Sequence, residues 1–149
     1  MNLINNIVTG HEPKTPKILV VEDDFVNVFI MKQILDNVFD TRYAKSGQEV
    51  MEQIRVNDFH LILMDINLTE DSPNGVEIMK TLRTLPRYRN TGIFAVTGYH
   101  QVNDRDKFLN EGFDNFFTKP VQKEELLEAI TRVLNEPGRE EVDKAENRA

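Results

Sequence analysis

The residue best placed for chemistry is Asp65, a carboxylate that directly follows an uninterrupted apolar run. Leu61 to Met64 contains no polar residue, which is typical of a strand buried on both faces of a parallel sheet covered by helices. The carboxyl ends of such strands are where α/β folds bind ligands. A carboxylate there loses solvation free energy unless a cation or hydrogen-bond donors meet it. The sequence therefore predicts polar partners for Asp65 at this sheet edge.

Three other apolar segments also end in polar residues that could be these partners. All strands of a sheet built with helical crossovers are parallel, so their carboxyl ends emerge on one edge. The residues at those ends are Glu22, Asp23 and Asp24 after Lys17 to Val21, Thr97 after Ile93 to Val96, and Thr118 and Lys119 after Asn115 to Phe117. We expect them to converge on Asp65.

This convergence predicts phosphoryl chemistry. The carboxylates of Asp23, Asp24 and Asp65 would repel one another without a cation, and Mg²⁺ prefers one or two carboxylates together with a phosphoryl group. An ammonium at Lys119 and a hydroxyl at Thr97 suit phosphoryl oxygens. The set describes a site at which Asp65 attacks a phosphoryl group and carries it as an aspartyl phosphate.

The elements that position these residues follow from hydrophobic periodicity. The first helix is predicted to pack through Val26, Phe29, Ile30, Ile34 and Val38. Ser46 and Glu49 form a capping box before a second helix, and Gly112 is the expected C-cap of a fourth. Thr41 to Ala44 is polar enough for an edge strand. Further helices are predicted at Val76 to Leu82 and Leu126 to Leu134, so five strands alternate with five helices in three layers.

Composition narrows the function classes. A chain of 149 residues fits one domain, and the formal charge of −7 disfavours binding to nucleic acid. Zero cysteines exclude disulfides and thiolate metal sites and favour a cytoplasmic location. Neither a signal peptide nor an apolar run of about 18 residues is present, so no membrane association is expected.

Four segments together resemble the receiver domains of two-component response regulators. They are Val21-Glu22-Asp23-Asp24, Met64-Asp65-Ile66-Asn67, Val96-Thr97-Gly98 and Phe116-Phe117-Thr118-Lys119-Pro120. Each is a weak signal alone, but all four fall in order at predicted strand ends. The resemblance covers Lys17 to Leu134 and implies a flavodoxin-like (βα)5 three-layer sandwich with a parallel five-stranded sheet of order 2-1-3-4-5.

The resemblance also implies a role for each matching residue. Asp65 would be the phosphoacceptor. Asp24 and Asp65 would bind Mg²⁺ together with the main-chain carbonyl of Asn67, and Asp23 would act mostly through water.

Three further positions complete the implied site. Thr97 and Lys119 would each bind a phosphoryl oxygen, and the bond between Lys119 and Pro120 is expected to be cis. Phe116 falls at the position of a rotating aromatic switch residue. One departure is a segment from Leu68 to Asn74 that is longer than in many receivers.

These roles predict a stand-alone receiver in residues 17–135, with a flexible extension in 1–16 and a charged tail in 136–149. It would be a phosphoprotein that catalyses only its own phosphorylation and dephosphorylation. The phosphoryl donor would be a histidine kinase or a histidine phosphotransfer protein. The downstream partner would bind the fourth helix, fifth strand and fifth helix, and the chain would be a monomer or weak dimer.

Four alternatives to this interpretation make different demands on the same residues. A dinucleotide-binding domain needs a glycine-rich turn where Glu22 to Asp24 stands. A dehalogenase-type phosphatase usually has a second Asp where this chain has Asn67. Asp23 and Asp24 could simply cap the first helix. The main functional alternative is a pseudo-receiver, a binding module that works without phosphorylation.

Overall fold

The computed structural model describes residues 15–68, 74–98 and 101–136. These residues build a five-stranded parallel sheet with the order β2-β1-β3-β4-β5. The strands are β1 Lys17–Val21, β2 Asp40–Ala44, β3 Leu61–Asp65, β4 Gly92–Thr97 and β5 Asn115–Thr118. The predicted flavodoxin-like architecture and strand order are confirmed, with β2 at an edge.

Five α-helices follow the strands in alternation. They are α1 Phe25–Leu35, α2 Gly47–Val56, α3 Gly75–Arg83, α4 Asp104–Glu111 and α5 Lys123–Leu134, and a short 3-10 helix at Pro86–Tyr88 separates α3 from β4. Ser46 caps α2, as predicted, because its Oγ accepts a hydrogen bond from the Glu49 N–H at 3.2 Å. Gly112 ends α4 with a positive φ of 129°, which only glycine adopts readily.

The strands alternate their side chains between two cores, one on each side of the sheet. Leu19, Ile62 and Ile93 pack with α2, α3 and α4, whereas Val20, Leu63 and Phe94 pack with α1 and α5. Burial on both faces explains the apolar runs of β1, β3 and β4. The polar residues that follow these runs are therefore restricted to the carboxyl edge of the sheet.

The predicted packing face of α1 is wrong in part. Val26 and Phe29 are 60% and 56% exposed, and the buried residues of the helix are Met31, Ile34 and Leu35. Apolar residues occur on nearly every side of this helix, so hydrophobic periodicity does not select one stripe. The packing against β1 and α5 decides which side is buried.

A guanidinium joins the end of α3 to the elements that follow it. Arg83 donates to the carbonyl oxygens of Tyr88, Thr91 and Gly112 at 3.0, 2.6 and 3.1 Å. It also forms an ion pair with Asp114 at 2.8 Å, and the same carboxylate oxygen accepts from the Ile93 N–H. This network fixes α3 relative to β4 and β5.

Some expectations concern residues outside the described ranges. These are the N-terminal extension up to residue 14, the segment 69–73 of the long loop after β3, and the tail from residue 137. Among the described helices, none is both long enough and apolar enough to cross a membrane.

The Arg83 network predicts a specific loss of stability. Arg83→Met should lower the free energy of unfolding by about 2 kcal/mol, because several charge-assisted hydrogen bonds are lost at a mostly buried position. Arg132→Met is the matched control. Its ion pair with Glu128 joins side chains that are 75% and 72% exposed, so the expected change is under about 0.5 kcal/mol. Urea denaturation measures both, and equal effects would contradict the structural role of Arg83.

Candidate phosphoacceptor site

Main-chain hydrogen bonds continue past the strand ends and bring the candidate residues together. The Ile66 N–H donates to the Val96 oxygen at 3.0 Å, and the Lys119 N–H donates to the Thr97 oxygen at 2.9 Å. These bonds keep Asp65, Thr97 and Lys119 at adjacent strand ends. The peptide bond between Lys119 and Pro120 is cis, as the resemblance implied.

The ammonium of Lys119 lies between two buried carboxylates. Its Nζ is 2.6 Å from Glu22 Oε1 and 3.3 Å from Asp65 Oδ2. Glu22 and Asp65 are 3% and 4% exposed, so both acids are largely withdrawn from water. The predicted proximity of Asp65 and Lys119 is present in the structure, but the shorter ion pair is with Glu22.

Burial and charge in this cluster shift the pKa values of Glu22 and Lys119. Burial raises the pKa of Glu22 to about 7, although the hydrogen bond from Lys119 acts in the opposite direction. Burial alone would lower the pKa of Lys119, but its hydrogen bonds and charge interactions with Glu22 and Asp65 outweigh burial and raise that pKa. Negative charge is therefore in excess around Asp65, which a bound cation would offset.

The carboxylates of Glu22, Asp23 and Asp65 form a compact group. One oxygen from each lies within 4.8 Å of the others. Hard carboxylate oxygens are the ligands that Mg²⁺ prefers, and an excess of buried negative charge favours a divalent ion. The residues present therefore fit a magnesium ion, although the group differs from the predicted one by including Glu22.

Asp24 is not part of this carboxylate group. Its side chain accepts a hydrogen bond from the Asn27 N–H at 2.9 Å and caps the N-terminus of α1. The helix-cap alternative considered from the sequence thus applies to Asp24. The structure brings Asp23 together with Asp65 and leaves Asp24 on the exposed side of the turn.

Glu22 was expected at this sheet edge, but the sequence analysis assigned it no role in the site. Its Oε1 pairs with Lys119, and its Oε2 accepts from the Asp24 N–H at 3.1 Å. The sequence feature that could have identified Glu22 is its position directly after Val21, the last residue of β1. Glu22 and Asp23 directly follow the buried strand and remain at the sheet edge, whereas Asp24 caps the next helix.

Asn67 and Thr97 also lie at the site. The Asn67 N–H donates to Asp65 Oδ1 at 3.1 Å, and its side-chain amide donates to Thr97 Oγ1 at 3.0 Å. Thr97 is 1% exposed. Both oxygens of Asp65 therefore have a partner, one in Asn67 and the other in Lys119.

Phe116 is half-buried on β5, next to β4. Its ring stacks on Phe108 of α4 with centroids 5.6 Å apart and an interplanar angle of 13°. The guanidinium of Arg105 also reaches the Phe116 carbonyl oxygen at 3.4 Å. The predicted switch residue therefore links β5 to α4.

Comparison with known proteins shows the family of this chain. Residues 18–131 match the response regulator receiver domain, and the chain belongs to that family.

Relatives and solved structures agree with this assignment. The polar-differentiation response regulator DivK of Brucella ovis is 28% identical over 123 residues, which are 82% of this chain and 98% of DivK. The histidine-protein kinase BarA of Shigella flexneri is 27% identical over 84% of this chain, but that region is 14% of the kinase. A CheY-like receiver domain protein from Methanospirillum hungatei has 29% identity and a TM-score of 0.72, covering 86% of this chain and 98% of its own.

The start of α3 packs so closely on β3 that a side chain cannot be added there. A Cβ on Gly75 would overlap the carbonyl oxygen of Asp65. Gly75→Ala should therefore lower the free energy of unfolding by about 1–3 kcal/mol.

Gly98→Ala is the matched control for this substitution, since the nearest atom to its Cβ would be Lys119 Cδ at 3.8 Å. Thermal or urea unfolding compares the two variants. Equal stability of both would show that the contact between α3 and Asp65 is not as close as the structure indicates.

Proposed function

We propose that the chain is a response regulator that accepts a phosphoryl group on Asp65 from a histidine kinase or a histidine phosphotransfer protein. The observation that carries the proposal is the position of Asp65. This carboxylate lies beside a partly buried ammonium and two further acids, and Asn67 joins it to the buried hydroxyl of Thr97. The donor classes follow from the family.

The transfer itself needs little covalent chemistry from the protein. An Asp65 oxygen attacks the phosphorus atom, the phosphorus–nitrogen bond of the donor phosphohistidine breaks, and its electron pair returns to the imidazole. Lys119 and Thr97 would bind phosphoryl oxygens and stabilise the charge that these oxygens carry in the transition state. Burial strengthens both interactions, because water is largely excluded from Asp65 and Thr97.

Glu22, Asp23 and Asp65, with the main-chain carbonyl of Asn67, are the residues that would bind Mg²⁺. When bound, the ion neutralises charge on the carboxylates and on the phosphoryl oxygens. Asp23 takes the place that the sequence analysis assigned to Asp24. Glu22 contributes mainly through Lys119, with which it forms its shortest ion pair.

We further propose that the chain is a cytoplasmic phosphoprotein and that it signals by contacting other proteins. Phosphorylation would change the surface formed by α4, β5 and α5, where Phe116 stacks on Phe108. The similarity to DivK along 98% of that protein's length supports a single-domain regulator.

The acceptor assignment predicts that Asp65→Asn is inert. The wild-type chain incubated with acetyl phosphate and Mg²⁺ should gain the mass of one phosphoryl group, and Asp65→Asn should gain none. Asp58→Asn is the control, because the Asp58 side chain is 80% exposed. Asp58 also precedes β3 and so lies at the amino end of the strand, away from Asp65. Intact-mass spectrometry gives the result. An equal gain in Asp65→Asn would reject the assignment, and no gain in the wild type would indicate a pseudo-receiver.

The carboxylate arrangement predicts unequal effects at Asp23 and Asp24. Asp23→Asn should weaken Mg²⁺ binding at least about tenfold, because it removes a ligand charge. Asp24→Asn should weaken it by less than about threefold, since asparagine also caps a helix and an exposed charge is screened. Calorimetric titration with MgCl₂ measures both affinities. The reverse ranking would return Asp24 to the metal site.

A further inference from the structure

Asn67 contacts both the proposed phosphoacceptor, Asp65, and one of the residues that would bind the phosphoryl oxygens, Thr97. Its main-chain N–H donates to Asp65 Oδ1 at 3.1 Å, and its side-chain Nδ2 donates to Thr97 Oγ1 at 3.0 Å. Asn67 is exposed, whereas Thr97 is almost completely buried. One exposed side chain therefore joins the loop after β3 to the end of β4.

The hydrogen-bonding capacity of these groups changes when Asp65 carries a phosphoryl group. In the unmodified protein, the Thr97 hydroxyl oxygen accepts from the neutral Asn67 amide. A phosphoryl group adds acceptor oxygens with negative charge beside both side chains. Charge-assisted hydrogen bonds to such oxygens are roughly twice as strong as neutral ones. The amide and the hydroxyl would then each donate to the phosphoryl group instead of bonding to each other.

We propose that the hydrogen bond between Asn67 and Thr97 stabilises the resting position of the Thr97 hydroxyl, and that phosphorylation of Asp65 breaks this bond. Asn67 is then a positioning residue that acts through Thr97. The inference rests on the proposed function, because the bond is broken only if Asp65 accepts a phosphoryl group. The resting state should therefore be more populated in the wild type than in a variant that lacks the Asn67 amide.

The displacement of Thr97 can be detected at a distance through defined contacts. The Thr97 carbonyl oxygen accepts from the Lys119 N–H at the end of β5. On the same strand, Phe116 stacks on Phe108 of α4. The amide signals of Val96, Phe108 and Phe116 should therefore report where Thr97 lies.

The test compares amide NMR spectra of the full chain without metal or phosphoryl analogue. Asn67→Ala should move these signals in the direction in which Mg²⁺ with beryllofluoride, a mimic of the phosphoryl group, moves them in the wild type. One neutral hydrogen bond corresponds to about a 2- to 10-fold change in the ratio of the two states. In a Thr97→Val background, Asn67→Ala should move the signals no further, because the bond is already absent.

Two variants control for effects unrelated to the bond. Asn67→Leu has nearly the same shape as asparagine without the amide donors, so it should reproduce the shifts of Asn67→Ala. Asn37→Ala removes another exposed asparagine, beyond the end of α1, and should leave the three signals unchanged.

Each outcome decides the proposal. The inference would be overturned if the signals stayed unmoved in both Asn67 variants. It would also be overturned if Asn67→Ala caused shifts of equal size with and without the Thr97 hydroxyl. In either case the proposed function stays intact, provided that the wild type responds to beryllofluoride. Absence of that wild-type response would overturn the proposed function and this inference together.

Discussion

The ammonium of Lys119 is the interaction on which the arrangement of the site depends. Two acids that are almost fully buried lie beside it, and burying a carboxylate without a cation is strongly unfavourable. Glu22 and Asp65 lie at the carboxyl ends of the adjacent strands β1 and β3. The Lys119 ammonium therefore stabilises the close approach of these two strand ends. Burial raises the pKa of Glu22, whereas the interactions with Glu22 and Asp65 outweigh burial and raise the pKa of Lys119.

This arrangement also makes the site responsive to charge. Three carboxylates share a small volume with one ammonium, so negative charge is in excess before any ligand arrives. A divalent cation reduces that excess, and a phosphoryl group would compete with Glu22 and Asp65 for Lys119. Asn67, a neutral residue, also donates hydrogen bonds to Asp65 and Thr97 beside this charged cluster. A phosphoryl group on Asp65 would offer alternative partners to Lys119 and Asn67.

The remainder of the fold supplies rigidity around these contacts. Two cores pack on opposite faces of the sheet, and Arg83 fixes α3 relative to β4 and β5. The close approach of Gly75 to the Asp65 carbonyl oxygen leaves the end of β3 little freedom to move. Response at the site is therefore expected in side chains and in α4 rather than in the strands. Phe116, which stacks on Phe108, lies where β5 meets α4.

The amino-acid sequence alone determined the strands and the residues at their ends. Uninterrupted apolar runs identify strands buried on both faces, and parallel strands place Asp65, Thr97 and Lys119 on one edge whatever the packing details. The tertiary structure decided that Glu22 and Asp23, but not Asp24, group with Asp65. The chain turns from β1 into α1 within Glu22 to Asp24, so adjacent residues of the same charge end in different environments. It also decided which side of α1 is buried, because apolar residues surround that helix and only its neighbours distinguish the sides.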